Sequence, residues 1–249
     1  MIIYRSPQEV EKLRISSQLV AETVQHIAPM VEPGITTAEL DRAAEAYIRR
    51  HHGIPAFKGY RGFPATLCTS INAEVVHGIP SKKRKLKTGD IIGIDCGAIV
   101  DGYYGDHAIT FAVGEITEAG RALIETTQQA LEMGIAQAKV GNRLSDISHT
   151  IQTYAEMRGY SVVKAFVGHG IGTALHEEPQ VPNFGPPGRG PRLREGMVLA
   201  LEPMLNLGTA DVEILSDNWT VVTADGSLSA HFEHTVAVTD QGGVVLSQP

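Results

Sequence analysis

An α+β fold made of two similar halves, with a chemical site between them, is what this sequence predicts, and three observations carry that expectation. The predicted elements run helix, helix, strands, and then the same order returns. Gly34, Leu40 and Tyr47 find matches in Gly141, Ile147 and Tyr154, and Arg14 in Arg121, every pair lying 107 positions apart. A fixed offset kept across two helices points to a structural repeat. Two β-rich runs, Ile91 to Ile99 and Tyr103 to Val113, flank Asp101-Gly102, a two-residue turn signal that predicts an antiparallel hairpin.

The elements follow in chain order. Ser6-Pro7-Gln8-Glu9 is a capping box with proline at the first helical position, opening a helix that ends near Ala28-Pro29. Thr36 to Glu39 opens a second helix, which runs to about His51. After the hairpin, helices are predicted near 118–138 and 144–158. Two stretches stand apart by composition. The basic run Lys82-Lys83-Arg84-Lys85-Leu86-Lys87 reads as a solvated connection, and more sharply as a docking point for an anionic assembly such as the ribosome. The proline-rich stretch Gly185 to Arg194 reads as a surface loop.

Composition narrows the function classes. With 249 residues, 43% hydrophobic and 20% charged, a single domain spanning residues 1–249 is expected. A net charge of −7 argues against a general nucleic-acid binder. The start lacks the apolar segment of a signal peptide and no stretch is long enough to span a membrane, so a cytoplasmic location is expected. Two cysteines make no disulfide framework: Cys96 reads as buried strand filler and Cys68 as a pocket wall.

Five side chains carry the chemistry. Asp95, Asp106, His169, Glu202 and Glu233 each sit where a strand or a glycine turn would hold them, and four of the five are carboxylates. Crowded together without cations, those carboxylates would repel one another, so the cluster makes sense around two divalent ions. If the hairpin pairs Val100 with Tyr103, Asp95 faces Ala108 and Asp106 faces Gly97. Both carboxylates then share one face as diagonal neighbours, roughly 7 Å apart at the backbone. A one-residue slip would separate them. His169 lies in the run Gly168-His169-Gly170-Ile171-Gly172, Glu202 ends the apolar run Met197 to Leu201, and Glu233 opens the β-rich run Glu233 to Val238. A nucleotide-loop reading of the glycines around His169 is weak, because they do not form G-x-G-x-x-G.

Val76-His77-Gly78-Ile79-Pro80, Gly89 through Asp95, Asp101-Gly102 through Asp106, Gly168 to Gly172, Leu175 to Pro179, Glu202-Pro203 and Ser227 through Thr235 together form a recognisable set. Over nearly its full length the chain resembles the type I methionine aminopeptidases, in their short form without an N-terminal extension. The resemblance implies the pita-bread (creatinase/aminopeptidase) fold, a pseudo-twofold antiparallel sheet with paired helices. It implies that Asp95 chelates one metal, that Asp106 and Glu233 bridge both, and that His169 and Glu202 complete the second. Water activated between two ions (Co, Mn, Fe or Zn) would cleave the bond after an N-terminal methionine when the second residue is small. By the same resemblance Glu202 shuttles the proton, His176 steadies the oxyanion and His77 contacts substrate. Tyr60, Phe63, Cys68 and Trp219, with help from Leu175, are implied as walls of the methionine slot.

Two departures from the family pattern are visible. His107 and Ala108 follow Asp106 where small hydroxyl residues are common, and Phe57 and Phe63 replace a frequent cysteine and tyrosine. Strand alternation turns His107 away from the face of Asp106, so it reads as a supporting residue. The expected partners are methionyl peptides and nascent chains, with a transient ribosome contact, no membrane, no specific nucleic acid and a monomeric chain. Two alternatives share the fold: a prolidase or proline aminopeptidase, and a silent binding module, which would be expected to lose ligands.

Overall fold

In the computed structural model, which describes residues 1–248, four helices back one face of a nine-stranded antiparallel sheet. Helix α1 spans Pro7–Ile27 and α2 spans Thr37–Arg50; α3 spans Glu118–Gln137 and α4 spans Leu144–Glu156. The capping boxes at Ser6/Glu9 and Thr36/Glu39 form as the sequence indicates, each hydroxyl accepting from an N–H of the first turn while the glutamate bonds back. No helix among the described residues is long and apolar enough to cross a membrane.

The repeat extends further than the helical matches suggest. The Gly34 N–H donates to the Leu86 carbonyl (2.8 Å) and the Gly141 N–H to the Leu193 carbonyl (3.1 Å). Thr36 bridges Lys85 as Arg143 bridges Arg192. All of these pairs keep the offset of 107, and the same offset relates Asp95 to Glu202. The basic run around Lys85 and the loop around Arg192 are therefore equivalent segments, each anchored by one buried leucine, Leu86 or Leu193. One pair departs from this register: α1 is capped by Ser6 but α3 by Thr117, about a turn later than the offset requires. Helix ends are set by local capping, so they drift while the packed positions stay.

Hairpin strands Ile91–Val100 and Tyr103–Ala112 pair as anticipated, with Asp95 opposite Ala108 and Gly97 opposite Asp106. Asp101 and Gly102 both have positive φ (49° and 80°), the type I′ geometry that matches strand twist. Strand Tyr103–Ala112 then pairs with Glu233–Val238, which pairs with Val198–Leu201, which pairs with Gly168–Gly170. The pseudo-twofold axis passes between the first two of these. Each half keeps its own apolar core: α1 and α2 pack Val20, Ile27, Leu40 and Ile48 over Ile92 and Ile94. On the other side α3 and α4 pack Leu131, Ile147 and Ile151 over Leu199 and Val236.

The close approach of α1 to the sheet depends on Gly105, where an added Cβ would lie 2.5 Å from Ser17 N and 2.6 Å from Ser17 Cα. Those are backbone atoms and cannot rotate away. Gly105→Ala is therefore expected to destabilise the fold by about 1–3 kcal/mol, read as a lower denaturation midpoint; an unchanged midpoint would mean α1 is free to shift.

Candidate metal centre and peptide pocket

Four of the five candidate donors sit on separate strands, Glu202 directly follows Val198–Leu201, and all five meet on the sheet face opposite the helices. Glu233, Ala108, Asp95 and Cys68 face one another in a row across four strands, and His169 and Asp106 belong to the neighbouring row. Asp106, His169 and Glu233 each present a ligand atom, all within 4.8 Å of one another. His169 Nε2 lies 3.5 Å from Glu202 Oε1 and 4.0 Å from Asp106 Oδ2. The register predicted for the hairpin is what aligns the first two carboxylates; the chain closure through Glu233–Val238 brings the rest.

Two features of the cluster favour a metal here. Asp95 Oδ1 and Glu233 Oε1 are buried without a hydrogen-bond partner, a costly state for a carboxylate that a cation relieves. His169 donates from Nδ1 to the Gly170 carbonyl at 2.9 Å, which leaves the Nε2 lone pair free toward the carboxylates. Burial pushes the His169 pKa down to about 3, so the ring is neutral as a ligand must be.

The carboxylates respond in the opposite sense. Burial, reinforced by the charges of Glu233 and Asp95, holds Asp106 well above its usual range, and burial with neighbouring carboxylates does the same to Glu202 and Glu233. Asp95 is pushed up to about 7, chiefly by burial. With pKa values raised, the metal-free cluster retains protons that a metal must displace. Apparent metal affinity is therefore expected to fall as pH drops below about 7, with protons released on binding, as titration calorimetry in buffers of different ionisation heat would read. Excess chelator should abolish activity reversibly; binding that is flat with pH and proton-neutral would contradict this electrostatic account.

Above the carboxylates opens a pocket of about 280 Å³. Tyr60, Phe63, Cys68, His77, Leu175, His176 and Trp219, all singled out in the sequence, line it. Phe63 and Trp219 meet edge to face with centroids 5.1 Å apart, and Trp219 stands at 6.3 Å from the His77 ring in the same manner. Tyr60 Oη and His176 Nδ1 are 2.8 Å apart. His77, at φ 60°, has its pKa lowered to about 4 by burial and then by His176, so it faces the pocket as a neutral ring.

His107 lies on the far side of the sheet, as alternation indicated. Its Nδ1 donates to the Glu233 carbonyl and its ring stacks on His234 at 4.6 Å, so it braces the strand that carries Glu233. Three residues escaped the sequence reading. Phe166 and Arg61 line the pocket, and His231 places a buried, unpartnered Nε2 at 4.0 Å from Glu202 Oε2. Alternation from Glu233 would have found His231, two positions earlier on the same face. Nothing local marked Phe166.

Five metal-competent side chains gathered at the floor of one pocket, on a sheet shared by two similar halves, have the arrangement of a metallopeptidase of the pita-bread class. Residues 11–240 match the family described as Metallopeptidase family M24, and the chain belongs to that family. It is 55% identical to a methionine aminopeptidase of Clostridium acetobutylicum over 99% of both chains. It superimposes on a crystal structure of a methionine aminopeptidase from Thermotoga maritima with a TM-score of 0.99 and 43% identity, covering 100% of each. A prolidase from Pyrococcus horikoshii shares the fold alone, at 22% identity and a TM-score of 0.79, with 64% of its length covered.

Proposed function

We propose that this protein removes the N-terminal methionine from peptides and nascent chains whose second residue is small, working as a single domain with two divalent ions. The observation that carries the reading is the meeting of Asp95, Asp106, His169, Glu202 and Glu233 beneath a slot walled by Tyr60, Phe63, Cys68 and Trp219. Divalent ions held by those five donors supply a lowered pKa for water and a polarised carbonyl. The donor set suits Mn, Fe, Co or Zn.

The protein's own groups do the rest. Glu202, 14% exposed at its side chain, lines the pocket and moves the proton from the nucleophile to the leaving amine. Tyr60 donates to His176 Nδ1, which leaves the proton of that ring on Nε2 to meet the developing oxyanion. His77 serves as a neutral contact for the peptide backbone. The aromatic walls accept a flexible thioether and exclude water.

Release of methionine from Met-Ala-Ser, set against Met-Pro and Ala-Pro peptides with several metals, tests the assignment. Rapid cleavage of the first alone is expected; preference for either proline peptide would favour the prolidase reading.

A cytoplasmic, monomeric enzyme with a transient ribosome contact completes the reading. In the basic run, Arg84 is paired with Glu74 and Leu86 is buried, while Lys82, Lys83, Lys85 and Lys87 are exposed and available to an anionic surface.

A further inference from the structure

We propose that Arg61 sorts the peptides admitted to this pocket by charge, favouring those with Asp or Glu at the third or fourth position; the inference rests on the aminopeptidase reading above. Of the residues lining the pocket only Arg61 and His176 are exposed, and they mark its rim. A peptide whose first residue fills the apolar slot and whose first carbonyl lies over the carboxylate floor must leave past that rim. An extended chain advances about 3.3–3.6 Å per residue, so the third and fourth residues emerge roughly 7–11 Å from the cleaved bond, within the reach of a long side chain at the mouth.

Arg61 is unspent. Among the described residues no carboxylate lies within ion-pairing distance of its guanidinium, whose contact is the Tyr60 ring at 5.3 Å. The other cation of the same loop, Lys58, is engaged by Glu45 at 2.7 Å. The backbone adds an independent sign. Arg61 holds φ 49° and ψ 22° between Gly59 (φ 89°) and Gly62 (φ 91°), a left-handed conformation that glycine or asparagine adopts more cheaply. Strained positions of this kind gather at functional sites. A free cation at the mouth also opposes the overall charge of −7, which would otherwise disfavour acidic peptides.

The test compares Met-Ala-Gly-Gly with versions carrying Glu, Gln or Lys at position three or four, on the metal-loaded wild type, Arg61→Gln and Arg61→Glu. An exposed pair is worth a modest factor, so the Glu-to-Gln ratio of kcat/KM should be about two- to fivefold in wild type at low salt. It should fall to about one in Arg61→Gln, drop below one in Arg61→Glu, and vanish for wild type in about 1 M salt, where the Debye length is ~3 Å. Trp219, the sole tryptophan, lies in the pocket, so its fluorescence reads the affinity of the same peptides without relying on turnover. A ratio of one in wild type, or one that survives Arg61→Gln in both readouts, overturns the proposal. Charge-ordered binding without cleavage of any peptide would instead sink the aminopeptidase reading and leave the role of Arg61 standing.

Discussion

Asp106→Asn is expected to lose bound metal and to lower kcat/KM on the order of a thousandfold or more, a loss of several kcal/mol of transition-state stabilisation. Asp106 stands in the middle of the cluster, with one oxygen 4.0 Å from His169 Nε2 and its carboxyl group feeling the charges of both Glu233 and Asp95. An amide there removes the charge that divalent ions neutralise, yet barely changes shape. The fold should survive, because the Asp106 backbone stays tied to Thr235, whose hydroxyl accepts from its N–H at 3.1 Å and donates to its carbonyl at 2.8 Å. His77→Ala is the companion measurement: metal content should stay near that of the wild type while the rate falls. Metal analysis beside peptide kinetics separates the two, and equal metal loss in both variants would mean the division between ligands and substrate contacts is wrong.

The second large effect is in the substrate. Met-Ala and Met-Gly peptides are expected to be cleaved roughly a hundredfold faster than Met-Ile or Met-Leu. The pocket of about 280 Å³ must hold the methionine side chain and the first peptide bond together, and its walls are packed aromatic rings with little freedom to retreat. A branched second side chain beside Glu202 and His77 would push the carbonyl away from the attacking water, and a displacement of about 1 Å carries a penalty of that size. Paired rates on the four peptides decide it. Comparable cleavage of Met-Ile and Met-Ala would show an open second-residue site and a broader aminopeptidase.

Much of the site was legible because its signals are local. The turn Asp101-Gly102 sets the hairpin register, and register alone puts Asp95 and Asp106 on one face and His107 on the other. The offset of 107 is visible in helix positions, whereas its extension to Asp95 and Glu202 rests on the equivalent backbone bonds at Leu86 and Leu193, which join segments far apart in the chain. The walls of the pocket were legible only through family resemblance. Tyr60 and Trp219 are far apart in the chain, and nothing in their neighbourhoods says they share a cavity.

By itself, then, the sequence determined the helices through their capping boxes, the hairpin through its turn and the duplication through its period, and it marked the candidate donors as carboxylates placed in apolar runs. Each of those rests on interactions between residues near in sequence, which a linear reading can follow. The tertiary structure decided that Tyr103–Ala112 lies beside Glu233–Val238, so that halves separated by more than a hundred residues share one row of carboxylates. It also decided that His231 stands unpartnered behind Glu202, and that Arg61 is left without a counter-charge at the mouth. Those outcomes depend on the packing of two separate cores against one sheet and on which charges find partners across it, and such long-range sums leave no mark on any short stretch of chain.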